Sequence, residues 1–251
     1  MSGHSKWSTI KRKKGANDAK RGAIFTTLAK NIAIVAREGG GDPDTNFSLR
    51  LAVDKARAAN MPKDNIERAI RRGTGEDKDA EAFERLVYEG YGPHGVAFII
   101  ECVTDNRNRT VADLRHTLAK AGGNLGEGGS VAWQFEQKSY FSFELGSRSQ
   151  DEIFELAVDA GADDVTFDEG WAEIFGPADA FKKIGDRLRA ASIRAEEAEL
   201  RMIPTNEMEL SVSETIQVMK VIENLEDLDD VSKVASNLSI TDAALAEMEA
   251  A

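Results

Sequence analysis

Between residues 140 and 203 the apolar pattern of this chain runs strand, helix, strand, strand, helix, strand, an order that few folds accommodate. Strands are predicted over 140–145, 165–167, 171–175 and 200–203, and helices over 151–160 and 178–191. This β-α-β-β-α-β succession is the ferredoxin-like one. Upstream of it, strands are predicted over 86–91 and 96–103, joined by Gly92-Pro93-His94-Gly95, then a helix over 110–121 and a strand over 131–135. Downstream, one helix over 213–225 and one strand over 231–236 remain, and such a pair cannot bury a core by itself. The two are therefore expected to return to the sheet begun before residue 136.

The first 75 residues lack strand patterning. Ile24, Leu28, Ile32 and Val35 recur at helical spacing over 18–37, and Gly39-Gly40-Gly41 stops that helix. Leu49, Val53 and Ala56 mark a second helix ending near Asn60. A third begins at Pro62, which suits the first helical position, carries a stripe of Ile66, Ala69 and Ile70, and is expected to close at Gly73. Residues 73–80 have the polar, turn-rich composition of a linker. The expected fold class is α+β: an N-terminal three-helix domain followed by two α/β domains, the third ferredoxin-like and inserted in the second. The expected boundaries are a flexible basic arm over 1–21, a helical domain over 22–78, a discontinuous α/β domain over 79–136 plus 205–251, and the inserted domain over 137–204.

Charge separates the same regions. Residues 1–75 carry a net +9, whereas the rest of a chain of net charge −12 carries −21. Lys6, Lys11, Arg12, Lys13, Lys14, Lys20 and Arg21 face a single acid, Asp18, within the first 22 residues. Trp7 sets a flat ring among these cations, a pairing that neutralises phosphates while stacking on a base. A solvated tail without a ligand is the plain alternative, and Trp7 favours nucleic acid. An acidic body would hold the protein off a polyanion except where the basic end docks. Two further basic sites stand out. On the third helix Arg68 and Arg72 are i,i+4 neighbours with Arg71 beside them, a stripe suited equally to a phosphate backbone and to surface ion pairs. In Thr104-Asp105-Asn106-Arg107-Asn108-Arg109-Thr110, Arg107 and Arg109 project from a loop entering a helix, with Thr110 as the expected N-cap and Asp113 at the capping-box position. Physics alone favours structural arginines there over RNA contacts.

Other chemistries find no support. His4, His94 and His116 are far apart, and no nucleophile, metal or phosphate-loop motif is present, so no enzyme, cofactor or metal is expected. The run Gly122-Gly123-Asn124-Leu125-Gly126-Glu127-Gly128-Gly129 follows a helix and precedes a strand, the reverse of a phosphate loop, and reads as a connector. Cys102, the single cysteine, lies in an apolar run as a packed strand residue. No segment reaches the roughly 18 apolar residues that span a bilayer, and no apolar leader is seen. The cytoplasm is the expected compartment, with no membrane partner and no small-molecule substrate.

At these residues the chain closely resembles the YebC/PmpR family, whose eukaryotic relatives include a mitochondrial translational activator of cytochrome oxidase subunit I. The segments that carry the resemblance are GHSKW at 3–7, DAKRG at 18–22, REGGGDPD at 37–44, ANMPKDNIERAI at 59–70, YEGYGP at 88–93, TDNRNRT at 104–110 and GGNLGEGGSVAW at 122–133. Two positions depart from the family pattern: Thr27 stands where a basic residue is expected, and His94 where glycine is usual. The resemblance implies three domains and no catalytic activity. It implies either a DNA-binding transcriptional regulator or a translation factor acting on ribosomes, including those stalled on proline-rich stretches. Under the ribosomal reading His4, Lys6 and Trp7 would reach an RNA-walled site, with Arg107 and Arg109 as a second contact. Under the promoter reading the helical domain would dock on duplex DNA. No helix groups Asn, Gln and Arg near its start as base readout favours, so the residues lean to RNA. An acidic protein-interaction scaffold would leave the arm unexplained.

Overall fold

The computed structural model describes residues 18–77, 82–168 and 170–250. Three helices come first: α1 (Asp18–Gly39), α2 (Phe47–Ala58) and α3 (Lys63–Thr74). Their core is Leu28, Ile32, Leu49, Val53, Ala56, Ile66 and Ala69, with Val35 and Ile70 half-buried against it; Ile24, which helical spacing placed in the same stripe, is exposed. Asn46 fixes the turn into α2, its Oδ1 accepting from the Leu49 amide at 3.0 Å while Nδ2 donates to the Val35 and Gly40 carbonyls at 2.8 Å. Two details of α3 differ from expectation. Pro62 stands at the N-cap rather than inside the helix, and the left-handed terminator is Gly75 (φ 77°), not Gly73. Gly73 lies within α3 because α1 crosses there, so that any Cβ would collide with the Ala33 carbonyl oxygen.

The strands then build two sheets. β1 (Glu84–Tyr91), β2 (Ala97–Thr104), α4 (Arg107–Lys120) and β3 (Asn124–Leu125) precede the insertion. β4 (Phe135–Glu144), α5 (Gln150–Ala160), β5 (Asp164–Asp168), β6 (Trp171–Pro177), α6 (Phe181–Ala190) and β7 (Glu197–Pro204) form it. α7 (Val212–Glu226), β8 (Val231–Ser236) and α8 (Asp242–Ala250) follow. The sheet orders are β3-β1-β2-β8 and β5-β6-β4-β7, with every pairing antiparallel. The second order is the ferredoxin-like one, with α5 and α6 on one face over Phe141, Phe143, Ala172 and Ile174. In the first sheet β8 lies against β2, from Phe98↔Ser236 to Cys102↔Val231. There α4 and α7 cover Phe98, Ile100 and Cys102 with Leu114, Leu118, Val218, Ile222 and Leu225. The third domain is thus ferredoxin-like and inserted in the second. At the neck of the insertion Thr205 returns both its amide and its hydroxyl to the Gln134 carbonyl, at 2.8 and 3.0 Å.

Helix α8 is absent from the sequence reading; its Leu245 and Met248 seal the end of the first core. The predicted strand at 131–135 begins only at Phe135, because Ala132–Gln134 is a single 3-10 turn. Among the described residues no helix is long and apolar enough to cross a membrane. His94 has φ 61°, the backbone region glycine favours. Its ring is held by Gln217 at 2.9 Å and by Glu214 at 3.5 Å. The helical domain rests on the first sheet and on α6 of the inserted domain. Ala33 and Ile34 of α1 meet Phe83 and Val103, and the Phe47 ring fills the space where a side chain on Gly185 would sit, edge-on to Phe181 at 5.5 Å.

A chain ending at Pro204 loses both the ladder partner of β2 and the α7 roof over it. Hydrogen exchange is expected to show protection lost across residues 97–104 while the amides of β4 and β6 stay protected. Retained protection in β2 would mean that β8 adds little to that sheet.

Candidate nucleic-acid interface

Of the sequence-predicted contacts, His4, Lys6, Trp7, Lys11, Arg12, Lys13 and Lys14 lie outside the described residues. Lys20 and Arg21 fall on the first turn of α1, and their side chains also lie outside the description. Of the others, Arg68, Arg71 and Arg72 lie on α3 and Arg107 and Arg109 at the start of α4, where Asp105 joins Arg72 to Arg109. The organising group is Asp230, in the turn before β8 and 5% exposed. Its carboxylate accepts from Lys30 Nζ at 2.8 Å and from Arg109 Nη2 at 2.9 Å to both oxygens, with Arg109 Nε at 3.2 Å. The Thr110 and Thr104 hydroxyls stand 2.9 and 3.1 Å from Oδ2. Lys30 donates as well to the Asp229 carbonyl at 2.7 Å. A second carboxylate, Asp105, takes Arg109 at 3.1 Å and Arg72 at 3.3 Å. The Arg72 guanidinium lies 3.6 Å over the Phe83 ring, whose carbonyl accepts from Arg37 at 2.7 Å.

This network corrects the reading of the α4 entry. The N-cap is Asn106, whose side chain accepts from the Arg109 amide at 3.1 Å, and α4 starts three residues before Thr110. Thr110 is buried one turn inside, its hydroxyl directed to Asp230 rather than to an N-terminal amide. The basic residues accordingly divide. Arg72 and Arg109 are held by carboxylates, whereas the exposed side chains of Arg68, Arg71 and Arg107 make no hydrogen bond or ion pair among the described residues. The earlier start of α4 also puts Arg107 and Asn108 in an exposed first turn, where backbone N–H groups are unpaired within the helix. Arg115, His116 and Lys120 continue that exposed side of α4, broken by Asp113. These three were missed, although their spacing from Asn108 is helical.

The glycine-rich run, expected as a connector alone, holds the short edge strand β3 and then a turn, and the structure supplies a reason for the turn. The Glu89 carboxylate accepts from the amides of Gly129, Val131 and Ala132 at 2.6, 2.7 and 2.7 Å, so the chain's own anion fills the loop. Burial opposes ionisation of Glu89, but these three amides outweigh it and hold the carboxyl below its ordinary value. The same bonds take amides that a strand at 131–135 would need. They leave Trp133 projecting, 73% exposed, with its Nε1 on the Ser130 carbonyl at 3.1 Å.

Burial likewise opposes the charge on Asp230, and the hydrogen bonds from Lys30, Arg109 and Thr110 overcome it, so its carboxyl is held below the usual value. Its stabilisation is therefore complete above the ordinary carboxylate pKa and is lost as pH falls through the lowered one. Asp230→Asn strands the buried Lys30 ammonium and is expected to cost about 3–5 kcal/mol in denaturant unfolding. Adding Lys30→Met should cost little more, because the stranded charge is gone. The wild-type melting temperature should fall more steeply than that of Asp230→Asn below about pH 4. Additive losses in the double variant, or parallel acid profiles, would count against Asp230 as the hub.

Comparison with known proteins places the chain in a family. The family model of the TACO1/YebC protein N-terminal domain matches residues 5–76, and that of the TACO1/YebC second and third domain matches residues 83–238. A probable transcriptional regulatory protein of Borrelia turicatae is 50% identical over 242 residues, which cover 96% of this chain and 99% of that one. Another, of Syntrophus aciditrophicus, is 47% identical over 250 residues and covers 100% of both chains. The crystal structure of a conserved hypothetical protein from Aquifex aeolicus matches with a TM-score of 0.82 at 38% identity, covering 90% of this chain and 93% of that one. With both family models matched end to end along the fold, the chain belongs to the TACO1/YebC family.

Proposed function

We propose that this protein is a non-enzymatic, nucleic-acid-binding regulator of gene expression, acting in the cytoplasm as a ribosome- and RNA-associated translation factor that relieves stalling, for example at proline-rich stretches. The observation that carries the reading is the charge division: +9 over residues 1–75 on a chain of net −12, with Arg68 and Arg71 left exposed while Arg72 is spent on structure. Free guanidinium groups on a rigid helix, in a chain with a basic N-terminal sequence, suit phosphate contacts, and Trp7 suits stacking on an unpaired base. The curated relatives' names, probable transcriptional regulatory protein, support regulation of gene expression. They also support a second reading, in which the target is promoter DNA. The start of α4 favours that reading too, since Arg107 and Asn108 in an exposed first turn are the residue types that read base edges.

The two readings separate on Trp7 and Arg107. Trp7→Ala is expected to weaken binding to a structured ribosomal RNA fragment by about ten- to a hundredfold while duplex binding barely moves, because a ring beside intact duplex has little to stack on. Arg107→Ala should lower the salt slope of RNA binding by about 0.7–0.9 without loss of stability, whereas Arg109→Ala should destabilise the fold. Anisotropy titrations at several salt concentrations, with RNA and duplex probes of equal charge, measure both. RNA affinity unchanged in Trp7→Ala, with strong preference for one duplex sequence, would select transcription instead.

A further inference from the structure

The β-α-β-β-α-β domain keeps one sheet face for α5 and α6, and the residues on its other face form aligned rows. Across the strands the register sets Asp168, Trp171 and Glu144 side by side, then Thr166, Glu173, Ser142 and Glu197, then Asp164, Phe175, Tyr140 and Glu199. Alternation puts all of these opposite Phe141, Phe143, Ala172 and Ile174, which meet the helices. Six carboxylates thus share a face with three aromatic rings, against Lys138 and Arg201 in the next row. Rings flanked by carboxylates are the chemistry that takes a guanidinium or an ammonium. The face already does so once. Arg201 lies 3.5 Å over the Tyr140 ring, with Nη2 2.8 Å from Glu197 and Nε 3.0 Å from Glu199, which also takes Lys233 at 2.7 Å.

We propose that this sheet face is a docking surface for cationic side chains and that its occupant in the free protein is the chain's own basic arm, residues 1–17. Aromatic residues on the two central strands of such a sheet would suit base stacking were they flanked by cations, but carboxylates repel phosphate and reverse the selection. The arm has the complementary charge, with five Lys or Arg and no acid in those 17 residues. It also has the reach, since 17 extended residues span up to about 60 Å and a globule of this length has a radius of gyration of about 18 Å. At the centre of the face Tyr140, Ser142 and Glu173 are buried, whereas Glu144 and Asp164 are exposed and Asp168, Trp171, Phe175 and Glu197 are half-buried, so it is the rim that the arm can approach. Docking would occupy the same cations that nucleic acid needs, and this regulatory consequence, unlike the docking, rests on the function proposed above.

The test uses the full chain carrying Ser5→Cys with a nitroxide label. Cys102 stays unlabelled because burial pushes its thiol up to about 12 and the side chain is fully enclosed. At low salt the amides of β5, β6 and adjoining β4 are expected to broaden, and to recover at high salt. Glu144→Gln with Asp168→Asn should lower the docking constant about fivefold, as the loss of two surface ion pairs would. Lys13→Glu with Lys14→Glu should abolish the broadening. Sheet amides untouched at low salt, or broadened equally in both double variants, would overturn docking. So would RNA shifting these same amides while the label sits elsewhere, which would give the face to RNA. Added ribosomal RNA fragment should release the arm and relieve the broadening. An arm that docks in a protein binding neither RNA nor duplex would keep the docking and discard the proposed function, so the two failures are read apart.

Discussion

Asp230 is a carboxylate removed from water, and a group of that kind must be surrounded by donors or give up its charge. Its donors come from distant parts of the chain: Lys30 from the middle of α1, Thr104 from the end of β2, and Arg109 and Thr110 from the start of α4. Because each reaches the same two oxygens, the helical domain cannot slide along the first sheet without stranding a charge. Asp105 extends the constraint to α3 through Arg72, and the Phe83 ring floors it with a flat surface under that guanidinium. The positions of Lys30, Arg109 and, through Asp105, Arg72 follow from that buried anion.

The arrangement also decides which charges a partner can feel. Cations neutralised inside the seam contribute little field beyond it, so Lys30, Arg72 and Arg109 drop out of the long-range electrostatics although they are part of the basic composition. What projects is Arg68, Arg71 and Arg107, on a chain whose first 75 residues carry a net +9 and whose remainder is strongly acidic. A partner approaching this protein meets a dipolar particle, attractive to polyanions at one end and repellent elsewhere, which orients an encounter before any contact is made.

Much of the fold was legible because local pattern and global topology agree. The β-α-β-β-α-β order, the return of β8 to the first sheet and the three N-terminal stripes all follow from periodicity and from the need to bury each apolar face. The failures lie where a distant partner overrides a local rule. Thr110 and Asp113 imitate a capping box, but the Thr110 hydroxyl serves a carboxylate 120 residues away, and Asn106 caps instead. Gly73 looks like a helix terminator until the crossing of α1 over it is known, and Val131 looks like a strand residue until Glu89 takes its amide. Within the candidate site, the division of arginines into anchored and exposed could not be read locally, since Asp230 is invisible from the sequence around Arg109. Helix α8 was different. Its Leu245 and Met248 were in plain view, but the short, Ala-rich segment has little periodicity beyond them.

The interrupted sheet also imposes a schedule on the chain as it is made. Strand β2 ends at Thr104 and its neighbour β8 begins only at Val231, with the whole inserted domain between them. At about 5–20 residues per second, β2 waits roughly 6–25 s for its partner, long enough for the inserted domain to fold first on its own local contacts. The Thr205 to Gln134 hydrogen bonds close the neck of the insertion and so bring the two halves of the open sheet within reach of each other. Until Asp230 emerges, Lys30 of α1 has no carboxylate to rest on, so the oldest part of the nascent chain acquires its final seat from nearly the youngest.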